Sequence, residues 1–175
     1  MPTLYGQGLL LREYRAEDYN ALCSWVNDWE TTRFLSTAYW IPQCDGDCRD
    51  YLSSRMRSSH NAYYFVIASP EEERYLGEIA LYDLNWRLRS GKVSLLVLRA
   101  CRGQGLGREA LRLIREFAFR TLGLERLELE VHAQNEPALH CYEQAGFLRE
   151  GVKRHAYFSE GQFRDVVLMS ALSGD

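Results

Sequence analysis

Seven residues, Arg102-Gly103-Gln104-Gly105-Leu106-Gly107-Arg108, concentrate the clearest chemistry in the chain. Glycines at 103, 105 and 107 remove the Cβ atoms that would keep an anion away from the backbone. An apolar run at 92–98 precedes the loop. An amphipathic pattern follows it, with Leu106, Ala110, Leu113, Ile114 and Phe117 on one face. The loop therefore joins a strand to a helix start, where free N–H groups and the helix dipole favour negative charge. Arg102 and Arg108 add whole positive charges. The chemistry that suits this arrangement is the holding of a phosphate or pyrophosphate; a tight turn whose glycines serve only the bend is the other reading. Two known phosphate loops do not fit. No Lys-Ser/Thr pair closes a P-loop, and Arg108 stands where the third glycine of a dinucleotide fingerprint belongs. Cys44-Asp-Gly-Asp-Cys48 resembles a ligand cluster, but only His60 follows nearby and no second Cys/His pair completes a set of four, so no metal is expected.

The elements that must position the loop follow from periodicity. Residues 8–14 suit a first strand, and a helix opens at 15–18 with Tyr19, Leu22, Cys23, Trp25 and Val26 at helical spacing. Residues 29–42 are irregular and aromatic (Trp29, Phe34, Tyr39, Trp40), a loop or broken helix whose rings serve either as satellite core or as the wall of a binding site. A helix is expected at 47–58, with Arg49, Arg55 and Arg57 on a solvated face. Strands at 62–69, 75–86 and 92–98, joined by short polar turns, form an antiparallel meander. Residues 126–132 alternate cleanly, with Leu127, Leu129 and Val131 inward. Strand, helix and strand make a right-handed crossover, so 92–98 and 126–132 should be parallel in an otherwise antiparallel sheet, which creates a cleft. Asn135 reads as a helix N-cap with Pro137 in the first turn, and 147–157 and 163–172 as a final hairpin.

Composition sets the outer bounds. At 175 residues, with 46% hydrophobic and 13% aromatic residues, the chain is expected to form one folded domain and not a disordered segment. A formal charge of -3 and a pI near 5.9 give no general attraction to nucleic acid or an anionic membrane, so neither is expected as a partner. The start of the chain lacks a basic segment followed by an apolar one, and no apolar run approaches membrane-spanning length. Five scattered cysteines suit reduced thiols, and the expected location is the cytoplasm.

Two stretches taken together carry a resemblance: Arg102-Gly-Gln-Gly-Leu-Gly107, and Asn135-x-x-Ala138-x-x-x-Tyr142-x-x-x-Gly146-Phe147. The chain resembles the GNAT superfamily of acetyl-CoA-dependent N-acetyltransferases, whose acyl-CoA signature is Arg/Gln-x-x-Gly-x-Gly/Ala on a strand-to-helix turn. The opening, Leu9-Leu-Leu-Arg-Glu-Tyr-Arg-Ala-Glu-Asp18 with Trp25-Val-Asn-Asp28, is similar to the branch that holds ribosomal-protein alanine acetyltransferases and spermidine acetyltransferases. The resemblance implies a single α+β domain over 1–175. Its mixed, mostly antiparallel sheet would have about seven strands, a central parallel pair splayed into a V and helices on both faces. It further implies that acetyl-CoA lies in the V. The backbone of Leu96, Val97 and Leu98 would pair with the pantetheine amides. Arg102, Gly103, Gln104, Gly105, Leu106, Gly107 and Arg108 would hold the pyrophosphate, and Asn135 and Tyr142 would touch the cofactor.

The implied chemistry is attack of a neutral amine on a thioester through a tetrahedral oxyanion. A backbone N–H near 95–97 would stabilise that oxyanion, and Tyr142 would protonate the departing sulfur. Glu78 is the candidate base, with Glu130, His132 and ordered water as alternatives. The acceptor site would be built from 29–40, the helix after it, and the hairpins near 83–89 and 157–163. Asp28, Glu30, Asp83 and Glu78 could attract a cationic amine, walled by Tyr39, Trp40 and Trp86. A polyamine, an amino sugar, an aminoglycoside and a peptide N-terminus all remain open as acceptors, and a homodimer is among the assemblies the resemblance allows. A non-catalytic acyl-CoA-binding sensor or assembly module with the same fold is the alternative; a nucleotide-binding protein is a third reading.

Overall fold

The computed structural model describes residues 3–175, the side chain of Thr37 excepted. Among the described residues eight strands form one sheet: β1 (Leu4–Tyr5), β2 (Leu10–Arg12), β3 (Tyr63–Ala68), β4 (Tyr75–Asn85), β5 (Ser90–Val97), β6 (Arg126–His132), β7 (Leu148–Ser159) and β8 (Gln162–Leu172). Their order is β1-β2-β3-β4-β5-β6-β8-β7. The strand beyond the expected seven is β1, whose two residues pair with Leu10 and Leu11 and are too few to show any alternation in sequence.

The central parallel pair is present, and it is short. β5 and β6 pair only at Ser90/Arg126, Gly91/Leu127 and Lys92/Glu128, after which the strands part. Each arm keeps an antiparallel partner on its outer side, β4 along β5 and β8 along β6. The inner edges beyond Lys92 and Glu128 therefore face each other across a V.

Two apolar layers cover the faces. Ile79, Leu81, Val93, Leu127, Leu129 and Val131 pack against α4 (Leu106–Glu116), which runs on as a π turn through Phe117–Thr121, and α5 (Glu136–Gln144). α4 forms because Leu106, Ala110, Leu111, Leu113 and Ile114 recur at helical spacing and are all buried. On the other face Leu10, Val66, Ala68, Tyr75 and Leu96 pack against α1 (Tyr19–Val26) and α3 (Asp45–Met56). The 29–42 stretch is a broken helix, α2 (Trp29–Thr32) followed by a 3-10 turn at Thr37–Trp40.

Two sequence expectations change on this face. α3 begins at Asp45, because the Asp47 carboxylate accepts the Cys44 N–H at 2.8 Å and draws Asp45-Gly46 into the first turn. Arg55 is not solvated: its guanidinium lies 4.5 Å from the ring centre of Tyr51 and 4.0 Å from that of Tyr64. Its methylenes and planar head cover aromatic surface, as a charged side chain can. Among the described residues no helix is long and apolar enough to cross a membrane.

Candidate active site

The β5 arm sets the first part of the site. The Leu98 N–H donates to the Leu76 carbonyl at 2.9 Å, and the Leu98 carbonyl accepts from the Cys101 N–H at 2.8 Å. Backbone direction alternates along a strand, so Leu96 and Leu98 turn their polar groups toward β4 while Leu95 and Val97 turn theirs toward the V. This corrects the expectation for Leu96 and Leu98. Of the three residues expected to meet pantetheine, Val97 alone presents its backbone to the opening, joined by Leu95. The Val97 carbonyl accepts the Arg102 Nε at 3.0 Å.

Beyond Val97 the chain turns through a short 3-10 segment, Arg99–Cys101, into the glycine loop. Gly103 and Gly105 have φ of +77° and +80°, and nothing lies within 4 Å of a Cβ built on either. The bend therefore needs glycine at both positions, and the space beside each is open. Gly107 differs, since a Cβ there would meet Cys141 Sγ and Leu95 Cδ2 at 3.2 Å, so this glycine lets α4 approach α5 and β5. Gly105 starts α4 without a side-chain cap, and the first helical N–H to find a carbonyl is that of Glu109, on Gly105 at 3.1 Å. The N–H groups of 103–108 have no acceptor among the described residues. With the exposed Arg102 and Arg108 beside them, they concentrate positive charge at the mouth of the V.

α5 supplies the second part. The Asn135 Oδ1 accepts the Ala138 N–H at 3.4 Å, so the residue is the N-cap expected of it. Tyr142 is buried about two turns further along α5, edge-on to Phe147 with ring centres 5.9 Å apart. Burial raises its pKa above the ordinary phenol value, with smaller contributions from Cys141 and Tyr82, and no hydrogen bond takes part.

Glu78 lies on the α1/α3 face of β4, in register with Leu96. Its Oε2 accepts the hydroxyls of Tyr14 at 2.7 Å and Tyr75 at 3.0 Å, and its Oε1 accepts that of Tyr51 at 2.5 Å. Trp25 Nε1 in turn donates to the Tyr75 hydroxyl at 3.2 Å. Burial, and then the Glu78 charge, push all three phenols above their usual pKa. Sequence reading found Glu78 and missed its three donors, which come from β4 itself, α3 and the segment after β2; only apolar spacing around Tyr51 and Tyr75 hinted at burial.

Of the other expected acidic groups, Glu30 lies 3.6 Å from Arg33, beyond hydrogen-bond distance, and the rest are engaged. Asp28 accepts the Thr31 hydroxyl at 2.6 Å, Asp83 holds Lys92 at 3.0 Å, and Glu130 pairs with Lys153. Trp86 lies at the hairpin end of the sheet, donating to the His60 carbonyl at 3.1 Å. His132 stacks on Tyr157 with ring centres 3.9 Å apart, and burial lowers its pKa. Tyr39 packs on Trp25 at 5.5 Å, and Trp40 on Tyr157 at 6.5 Å. Among the described residues no three His, Cys, Asp or Glu converge as metal ligands.

Comparison with known proteins agrees with this geometry. The family model described as the acetyltransferase (GNAT) domain matches residues 8–148. The uncharacterized N-acetyltransferase p20 of Bacillus licheniformis is 24% identical over 172 residues, covering 98% of this chain and 97% of that protein. The spermidine N(1)-acetyltransferase of Escherichia coli K12 is 32% identical over 105 residues, 60% of this chain and 55% of that one. In structure, the chain is similar to an acetyltransferase (GNAT family) from Bacillus anthracis, with a TM-score of 0.87, 16% identity and coverage of 99% and 100%. It is also similar to the spermidine N-acetyltransferase from Vibrio cholerae in complex with CoA and spermine. That TM-score is 0.83, at 21% identity and coverage of 95% and 96%.

Proposed function

Because the chain belongs to the acetyltransferase (GNAT) domain family, we propose that it transfers an acetyl group from acetyl-CoA to a primary amine by direct attack in a ternary complex. One observation carries the reading. A parallel pair that parts after Lys92/Glu128 leads straight into a helix start whose N–H groups at 103–108 have no protein acceptor. A pyrophosphate fits that cradle, held by Gly103, Gln104, Gly105, Leu106, Gly107 and Arg108 through the backbone and by Arg102 and Arg108 through charge. The pantetheine arm would run along the free edge of Val97 and Leu95, and the Asn135 carboxamide, on the opposite arm, would contact it.

The Leu95 or Val97 N–H would donate to the oxyanion, a role worth about 3–4 kcal/mol where such donors have been removed. Tyr142 would give its proton to the departing sulfur. The phenol is protonated at neutral pH with or without the rise that burial brings. Glu78 would accept the ammonium proton. A carboxylate offers about four lone-pair positions, and three phenols leave one for the amine. The likeness to spermidine acetyltransferases supports a small amine as acceptor.

The test is a CoA-release assay with acetyl-CoA across polyamines, amino sugars, aminoglycosides and N-terminal peptides. Amine-dependent release is expected. Acetyl-CoA binding with no release against the whole panel would replace the transferase by an acyl-CoA sensor.

A further inference from the structure

Four buried side-chain nitrogens without a hydrogen-bond partner among the described residues, Arg33 Nε, Trp40 Nε1, His132 Nδ1 and Arg164 Nε, belong to one run of packed side chains on the α1/α3 face. The Arg33 guanidinium lies 4.7 Å from the centre of the Phe34 ring, which meets His132 edge-on at 5.8 Å. His132 stacks on Tyr157, Trp40 meets Tyr157 edge-on, and Arg164 is the cross-strand neighbour of Tyr157 on β8. The Arg and Trp nitrogens can only donate, and the His nitrogen can donate in one tautomer. Buried donors left unmade are costly, so a cluster of them asks for an acceptor atom.

The charges ask for the same thing. Arg33 reaches Glu30 only at 3.6 Å, and Arg164 reaches Glu160 only at 3.9 Å, both beyond hydrogen-bond distance. Two cations with loose partners in an aromatic box favour an anion. His132 stands four residues past Glu128 on β6, as Leu96 stands four past Lys92 on β5, so the box and the catalytic stretch lie at equal depth on opposite arms of the V. The anion of Glu78 is on the β5 side and the cations are on the β6 side.

We propose that this box binds a carboxylate carried by the acceptor itself, so that the substrate is an amphoteric amine; this rests on the transferase reading above. The amino group would sit at Glu78 and the carboxylate between Arg33 and Arg164. Glu78 is on β4 and His132 on β6, with β5 between them, so at about 4.8 Å per paired spacing and with the arms diverging their backbones are about 10 Å or more apart. Side chains reach into that gap, and the amino and carboxylate groups must still be well separated. That suits an ω-amino acid, a lysine side-chain amine or a dipeptide, and not the adjacent groups of an α-amino acid.

The experiment compares 6-aminohexanoate with its methyl ester, 1,5-diaminopentane and spermidine in the CoA-release assay, alongside equilibrium binding of 6-aminohexanoate followed by tryptophan fluorescence. The acid is expected to exceed the ester in kcat/KM by about tenfold or more, the scale of one charge-assisted hydrogen bond. Arg33→Gln and Arg164→Gln should each collapse that ratio. Equal rates for acid and ester, or preference for spermidine, would overturn the carboxylate site and leave the transferase standing. Arginine-dependent binding of 6-aminohexanoate with no thiol release from any amine would do the reverse. Should either variant fail to fold, the acid-to-ester ratio of the unaltered protein decides.

Discussion

Replacing Glu78 by glutamine removes the charge that three phenols are built around while keeping the side chain's shape. The amide has one acceptor oxygen. Placed at the Oε2 position it can keep Tyr14 and Tyr75, now as neutral bonds, but its NH2 then faces the Tyr51 hydroxyl, which has been donating at 2.5 Å. A hydrogen bond to a charged acceptor is worth about 1.5–3 kcal/mol and a neutral one about 0.5–1.5 kcal/mol. One bond is lost and two are weakened, offset in part because Glu78 is only half-buried and because the Tyr51 hydroxyl can turn to accept. The expected cost of Glu78→Gln is about 2–3 kcal/mol, a Tm fall of about 5–10 °C for a chain of this size. Urea and thermal unfolding measure it. In the Glu78→Gln background, Tyr51→Phe should then cost clearly less than it does alone, because its acceptor has gone. A Tm within about a degree of the parent, with strictly additive Tyr51→Phe costs, would refute the claim that this carboxylate organises the α1/α3 face.

Gly77 holds β4 against the β5 arm: a Cβ there would lie 2.2 Å from the Leu96 carbonyl oxygen and 3.0 Å from Val97 Cα. Gly77→Ala should destabilise the protein by about 2–3 kcal/mol, as overpacking does, and lower kcat by shifting the Leu95 and Val97 N–H groups; parental stability and turnover would contradict that. Tyr14, Tyr51, Tyr75 and Tyr142 all have pKa values raised by burial. The folded chain keeps protons that the unfolded chain releases above a pH of about 10, so stability from these groups is intact below that pH and falls as pH rises beyond it. A Tm series through that range should fall more steeply for the parent than for Tyr51→Phe, and parallel curves would count against it.

Local features were legible in the sequence because their causes are local. The glycine loop, the α4 stripe, the Asn135 cap and the alternation of β6 depend on neighbours within a few residues, and all recur in the structure. The parallel pair was also legible, since a strand-helix-strand crossover admits one hand. What escaped is set by distant partners. Tyr14, Tyr51 and Tyr75 meet at Glu78 only once β2, α3 and β4 are assembled, and Arg55 is half-buried against rings on two different elements. The occupation of the Leu98 backbone follows from a turn and a strand partner on opposite sides of it. Charge counting placed acidic residues near an amine, yet Asp28 and Asp83 are taken by partners a few residues away.

The proposed transfer assigns protonation of the departing sulfur to Tyr142. Its most direct measurement sets the kcat of Tyr142→Phe beside its acetyl-CoA affinity. Phenylalanine keeps the buried ring against Phe147 and removes only the proton donor. The account predicts a fall in kcat of about a hundredfold or more, with the dissociation constant for acetyl-CoA within about twofold of the parent. Unchanged turnover, or a loss explained wholly by weaker acetyl-CoA binding, would contradict it.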